Sequence, residues 1–215
     1  MGEIEVHALR GVSLEVEKGA VIGIMGPSGS GKTTLLNLIG ALDRPTEGRV
    51  ILDGIDITDM KQKELTYVRR NKISFVFQFF NLLPVLSARE NVELPLLIAG
   101  VDEDIRHERV NHLLQLVGLE ERADHRPDEL SGGEQQRVAI ARSLAKPPAE
   151  NGSVIVLADE PTGDLDTHTG DEVMKVLIEL TRKEGGTLLV VTHDPEVGKK
   201  LDRVHKMRDG QMEPQ

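Results

Sequence analysis

A lysine at the exit of a glycine-rich loop and two adjacent carboxylates far downstream are the residues here whose types and spacing suit work on a phosphate. The loop, GPSGSGKTT from Gly26 to Thr34, satisfies G-x-x-x-x-G-K-[ST] through Gly26, Gly31, Lys32 and Thr33. Gly26, Gly29 and Gly31, with Pro27, Ser28 and Ser30 between them, let consecutive N–H groups turn inward around an anion. A helix opening near Gly31 adds the positive end of its dipole. In such a loop Lys32 meets β- and γ-phosphates, and the Thr33 hydroxyl, with Thr34 behind it, takes Mg²⁺. A phosphate loop also needs a second metal ligand and a group to orient water, and VIVLADEP supplies both. Asp159 is the expected Mg²⁺ partner. Glu160, beside the metal without being needed as a ligand, is the candidate for positioning or deprotonating water. Alone, an Asp-Glu pair after a strand is an ordinary solvated strand end; the phosphate loop reverses that preference.

A third cluster lies in LSGGEQQRVAIARSLA. Ser131 and Glu134 form an S-x-x-E capping box, so a helix should begin there with Gly132 and Gly133 in its first turn. Two glycines cost stability in a first turn, but they allow an anion to approach free N–H groups beside the Ser131 hydroxyl. The same helix also reads as core through Val138, Ile140, Ala141 and Leu144, and the two readings are compatible.

These groups need strands to hold them. VIGIM (21–25), VIVLA (154–158) and LLVV (188–191) lack polar alternation, the pattern of strands buried on both faces of a parallel sheet. A fourth candidate, ISFVFQ (73–78), ends in Gln78. Ligands of an open α/β sheet sit at the carboxyl ends of its strands, which is where Gly26, Gln78, Asp159 and His193 fall. Between Gln78 and Leu130 the period becomes helical. Ile105, Val110, Leu113, Leu114 and Val117 fall near one face, and Gly118 supplies a stop. The expected fold is an α/β P-loop core with a mostly parallel sheet, residues 1–78 and 131–215, carrying an inserted helical subdomain over 79–130. A later helix places Val173, Val176, Leu177 and Leu180 on one side and stops at Gly185 and Gly186.

Composition narrows the function classes. At 215 residues and 39% hydrophobic, the chain has room for one domain with a core. A net charge of -10 without a segregated basic patch argues against nucleic acid as the main partner. The absence of cysteine excludes thiolate metal sites and cysteine nucleophiles. No apolar run approaches the roughly 20 residues of a membrane helix, and the N-terminus shows no secretory signal.

The order and spacing of GPSGSGKTT, FVFQ, LSGGEQQR, LADEPTGDLD and VTHD clearly resemble the ATPase subunits of ATP-binding cassette (ABC) transporters over nearly the whole chain. The resemblance implies that Gln78 senses metal and γ-phosphate and couples to the helical insertion. It further implies that Ser131 and Gly133 reach the γ-phosphate of ATP held by the opposite protomer, that Asp166 shapes the dimer contact, and that His193 touches the γ-phosphate as a switch. Judged alone, His193 reads as a plain strand-end histidine. The implied unit is a homodimer closed head to tail on Mg-ATP, opening after hydrolysis, attached through a separate permease to the cytoplasmic face of the membrane. GALDRPTEG and FNLLPVLSARENVELPLL resemble the subfamily that powers lipoprotein release, macrolide and peptide export, and related mechanotransmission complexes. A cell-division type mechanotransmission complex and a soluble non-transport cassette are the alternatives. Phe79, Phe80, Leu82 and Leu83 read equally as a groove for a helix of the membrane partner or as core of the insertion.

Two departures stand out. Family members carry an upstream strand and an aromatic that stacks on adenine, whereas this chain starts almost on top of the next segment and has its only tyrosine at Tyr67. Weak base discrimination and an unpaired sheet edge are the expectations that follow; His7 falls nearer the strand than the stacking position and is disfavoured as a replacement for the aromatic. The other departure is KPPAENGS (146–153), longer than the family's usual link before VIVLADEP.

Overall fold

A computed structural model describes residues 7–146 and 154–214, so most of the 146–153 link lies outside the described residues. The elements run β1 Val21–Met25, α1 Lys32–Ile39, β2 Ile51–Leu52, β3 Ile55–Asp56, α2 Gln62–Lys72, β4 Ile73–Phe77, α3 Ala88–Ile98, α4 Glu103–Leu116, α5 Gly132–Leu144, β5 Ile155–Asp159, α6 Thr167–Lys183, β6 Thr187–Thr192, α7 Pro195–Gly198, β7 Arg203–Arg208 and β8 Gln211–Met212. The main sheet has the order β4-β5-β6-β1-β7-β8; every pairing is parallel except β7 with β8. The four apolar runs of the sequence are four of its five parallel strands, β4, β5, β6 and β1; the fifth, β7, carries the charged RVHKMR and was not expected.

Their continuous apolarity has a direct cause. Successive strand residues face opposite sides, and both sides are covered. Val156, Ala158, Leu188 and Val190 join one cluster with residues of α3 to α6, while Leu157, Leu189, Val191, Ile22 and Ile24 join another with Leu35, Leu36, Leu65 and Val68 of α1 and α2. A large part of the first cluster belongs to α3 and α4, so the helical insertion shares its core with one face of the sheet through α5. Within α4, Val110, Leu113 and Leu114 are buried and Val117 follows at the helix end, but Ile105 is 52% exposed. It sits one residue off the stripe that the others define. Gly118 adopts φ 68°, the left-handed stop.

Register brings the chemistry to one end. Phe77 pairs with Asp159, Asp159 with Val191, and Met25 with Thr192. The strands therefore end side by side, roughly 5 Å apart, and their next residues are Gln78, Glu160, His193 and Gly26. On the far side, β7 is paired to β8 only at Met207 and Arg208, with one further bond from Glu213 N to the Lys206 carbonyl. Among the described residues no strand covers the rest of that edge.

Candidate active site

The phosphate loop is held from behind. A Cβ on Gly26 would run into the Met207 carbonyl of β7, so only glycine lets the loop leave β1 at this point. Gly31 has φ 98°, a conformation other residues avoid, and turns the chain directly into α1. Lys32 is buried to 7% exposure, and its Nζ donates to the carbonyls of Gly26 (2.7 Å) and Pro27 (3.0 Å). The ammonium is thus folded across the loop's mouth by local bonds, ready to exchange carbonyls for an anion.

Thr33 Oγ1 donates to Asp159 Oδ2 at 3.2 Å, which sets a hydroxyl and a carboxylate from opposite ends of the sequence against each other. Burial pushes the Asp159 carboxyl up from its ordinary 3.8; the Thr33 bond pulls it down, and the charge of Glu160 pushes it up again. A carboxylate that is partly desolvated beside another carboxylate is an electrostatically favourable place for a divalent cation. Thr33 and Asp159 therefore fit Mg²⁺. Among the described residues no group of three His, Asp or Glu side chains is arranged to hold a metal by itself.

Glu160 occupies a strained position, φ 45° on a non-glycine residue directly after β5. Its side chain is fixed by three donors: Thr192 Oγ1 (2.9 Å) and His193 N (3.3 Å) to Oε2, and His193 Nδ1 at 2.8 Å from Oε1. His193 is accordingly not a solitary strand-end histidine. With Nδ1 turned to the carboxylate, Nε2 lies on the far side of the ring and has no hydrogen-bond partner among the described residues. Gln78 Nε2 donates to Asp164 Oδ1 (2.8 Å), and the Gln78 side chain packs where a Cβ on Gly163 would sit.

A cleft of about 860 Å³ gathers Ser28, Gly29, Gly31, Lys32, Thr33 and Thr34 with Gln78, Asp159, Glu160 and His193. Gly26, Pro27 and Ser30 belong to the same loop but do not line the cleft. Its rim adds residues that motif reasoning did not single out: Ala8, Arg10, Asn81, Asp209 and Gly210, together with His7. Gly210 N donates to the Ser30 carbonyl (3.0 Å) and Arg10 N to the Gly210 carbonyl (2.8 Å), so the β7–β8 turn braces the phosphate loop. The Asp-Gly pair signals that hairpin in the sequence, though nothing local says where it docks.

Ser131, Gly132, Gly133 and Glu134 do not line this cleft. The capping box forms as expected: Glu134 N donates to Ser131 Oγ (3.3 Å), and Ser131 N to Glu134 Oε2 (2.8 Å). Those bonds from Ser131 hold the Glu134 carboxyl below its ordinary value. Gly133 has a packing reason besides, since a Cβ there would strike the Thr169 side chain of α6. Asp166 caps α6 by accepting from His168 N and Thr169 N (both 3.1 Å) and also lies outside the cleft. The segment after Gln78 divides. Phe79 (70%), Leu83 (42%) and Val85 (73%) are exposed, Leu82 packs on the core, and the Phe80 ring lies close to Gly132.

A phosphate loop between a buried strand and a helix, facing an Asp-Glu strand end across a parallel sheet, defines a P-loop nucleoside triphosphatase. Residues 9–163 match the ABC transporter family. The chain belongs to that family, as its ATP-binding, ATP-hydrolysing cassette. It is 52% identical to an uncharacterised ABC transporter ATP-binding protein of Thermotoga maritima, over 99% of this chain and 88% of that one. It is 47% identical to the lipoprotein-releasing system ATP-binding protein LolD of Hyphomonas neptunium, over 96% of this chain and 89% of that one. The macrolide export ATP-binding/permease protein MacB of Syntrophobacter fumaroxidans is 49% identical over all of this chain, which spans 30% of that longer protein. The solved dimer of the cassette MJ0796 in a post-hydrolysis state with ADP and Pi superposes with a TM-score of 0.86 at 48% identity, covering 100% of this chain and 92% of that one. Among the described residues no helix is long and apolar enough to cross a membrane.

Proposed function

We propose that this chain powers a separate membrane permease by closing head to tail with a second copy of itself on two Mg-ATP molecules, in the service of export or lipoprotein release. In this reading residues 1–78 and 131–215 are the ATPase core and 79–130 the signalling subdomain. The observation that carries it is the division of the motifs. Lys32, Thr33, Gln78, Asp159, Glu160 and His193 share one cleft, whereas Ser131, Gly132 and Gly133 open a capped helix outside it. If the latter bind nucleotide, they bind a partner's.

The chemistry follows from the side chains. Lys32 and the loop's N–H groups take the phosphates, and Thr33 and Asp159 hold the metal, with Gln78 reaching it and the γ-phosphate. A Mg²⁺ ion bound there neutralises phosphate charge as the transition state develops. Glu160, clamped by Thr192 and His193, orients or deprotonates the attacking water. His193 then presents Nε2 toward the γ-phosphate. The kinship with proteins named for macrolide export and lipoprotein release supports the export assignment, and the exposed Leu83 and Val85, which follow Phe79 at the edge of the cleft, support a permease contact near Gln78.

Size-exclusion chromatography of Glu160→Gln with and without Mg-ATP tests this reading. Loss of the carboxylate should slow hydrolysis about 100-fold or more and trap the closed dimer, so ATP should shift the elution to twice the mass. A monomer at saturating Mg-ATP would overturn the head-to-tail assignment.

A further inference from the structure

Gln136 lies on α5 just over one turn from Ser131, roughly 7 Å along the helix, and is completely buried. Its Nε2 donates to the Phe77 carbonyl (3.1 Å) and to the Pro161 carbonyl (2.6 Å). Phe77 immediately precedes Gln78, and Pro161 immediately follows Glu160. One amide therefore grips the backbone on the near side of two cleft residues that come from different strands. Its Oε1, equally buried, has no hydrogen-bond partner among the described residues. A group with an orphaned buried acceptor is a poor device for stability alone; its effect is geometric. The same helix grips the far side of Gln78, where Arg142 donates to the carbonyls of Phe80 (2.9 Å) and Asn81 (2.6 Å). Asn81 is held at φ 50° in this arrangement.

We propose that Gln136 is a positioning residue: it ties the helix that offers Ser131–Gly133 to the partner's nucleotide to the strand ends that carry Gln78 and Glu160 in its own chain. The proposal rests on the head-to-tail reading above. Seating of α5 on the partner's γ-phosphate moves the Gln136 amide, and the two carbonyls it holds carry that displacement to Glu160 and Gln78. Each nucleotide thereby helps align the other site's water-orienting carboxylate. A misplacement of about 1 Å there costs rate far more than binding, on the order of 100-fold.

Two substitutions test it. Gln136→Met keeps the volume and removes both donors. Expected are an affinity of the monomer for a fluorescent ADP derivative within about twofold of wild type, ATP-driven dimerisation retained in the Glu160→Gln background, and a kcat at least about tenfold lower with KM nearly unchanged. An unchanged kcat overturns the proposal. So does loss of dimerisation alongside kcat, which would make Gln136 a plain support of the helix. Gln136→Glu keeps the shape, and its buried carboxyl regains one O–H donor on protonation. Its kcat relative to wild type should therefore climb as pH is lowered from about 8 to about 6; a flat ratio overturns the proposal even if the Met variant fails to fold. Failure of Glu160→Gln alone to dimerise would instead strike the head-to-tail reading and leave the origin of the loss separable.

Discussion

Glu160 and Asp159 are neighbours with opposite burdens. Glu160 is strained in its backbone and satisfied in its side chain, held by Thr192 Oγ1 and by the backbone N and Nδ1 of His193. Asp159 is regular in its backbone, ending β5, and burdened in its side chain, where burial and the Glu160 charge oppose ionisation. Both are costs placed at the cleft, where a cation and a phosphate would relieve them. Asp159→Asn should thus raise the Tm of the nucleotide-free chain, on the order of 2 °C, while abolishing Mg²⁺-dependent hydrolysis. Because the folded pKa of Asp159 is raised, its penalty is complete at neutral pH. It fades as pH falls through the carboxyl range, where the native state takes up its proton first. Thermal melts of both chains at neutral pH and near pH 4 check this; a variant less stable than wild type at neutral pH would contradict it.

Helix α5 works at both ends. Its N-terminus combines a capping box with two glycines, and its body buries Val138, Ile140, Ala141 and Leu144. The capping box can be read from Ser131 and Glu134 by spacing alone because its bonds span only three residues. The reason for Gly133 is half hidden, since the Thr169 side chain that excludes a Cβ comes from α6. Ser131→Ala should lose the cap, about 1 kcal/mol of stability, and also the proposed contact with the partner's phosphate. Ser131→Asn keeps a capping oxygen and should restore the melting temperature without restoring hydrolysis. Nucleotide affinity of the monomer should stay near wild type in both variants, as measured by titration calorimetry with ADP. An equal loss of ADP affinity would place Ser131 on its own chain's nucleotide.

Two faces of the molecule are proposed to meet partners. One is the cleft that a second copy is proposed to close; the other is the apolar surface after Gln78, where Val85 is 73% exposed and stands outside the cleft. Because Phe80 lies against Gly132 while Val85 faces outward, a charge is better tested at Val85. Val85→Glu should melt within about 2 °C of wild type, as surface changes do, and keep its ATPase rate in solution. Sedimentation with membranes that contain the permease should be lost; undiminished sedimentation would move the docking face elsewhere.

The four apolar strands, the phosphate loop, the Asp-Glu pair and the α5 capping box were legible because each depends on neighbours within a few residues or on burial of both sheet faces; β7, whose RVHKMR interleaves charge with apolar residues, and the Asp166 cap of α6 were not read. Ile105 was misplaced because it lies one residue's turn, roughly 100°, off the stripe of Val110, Leu113, Leu114 and Val117, and a strict 3.6-residue period puts it on the solvent side. The pairing of His193 with Glu160, the bracing of the phosphate loop by the Asp209-Gly210 turn and the grip of Gln136 on Phe77 and Pro161 were invisible in the sequence. The strand order β4-β5-β6-β1-β7 makes neighbours of segments 181 residues apart in the chain, and hydrogen bonds follow that adjacency. Chemistry was therefore written in local residue types, while the orientation of each group came from contacts that exist only once the sheet is assembled.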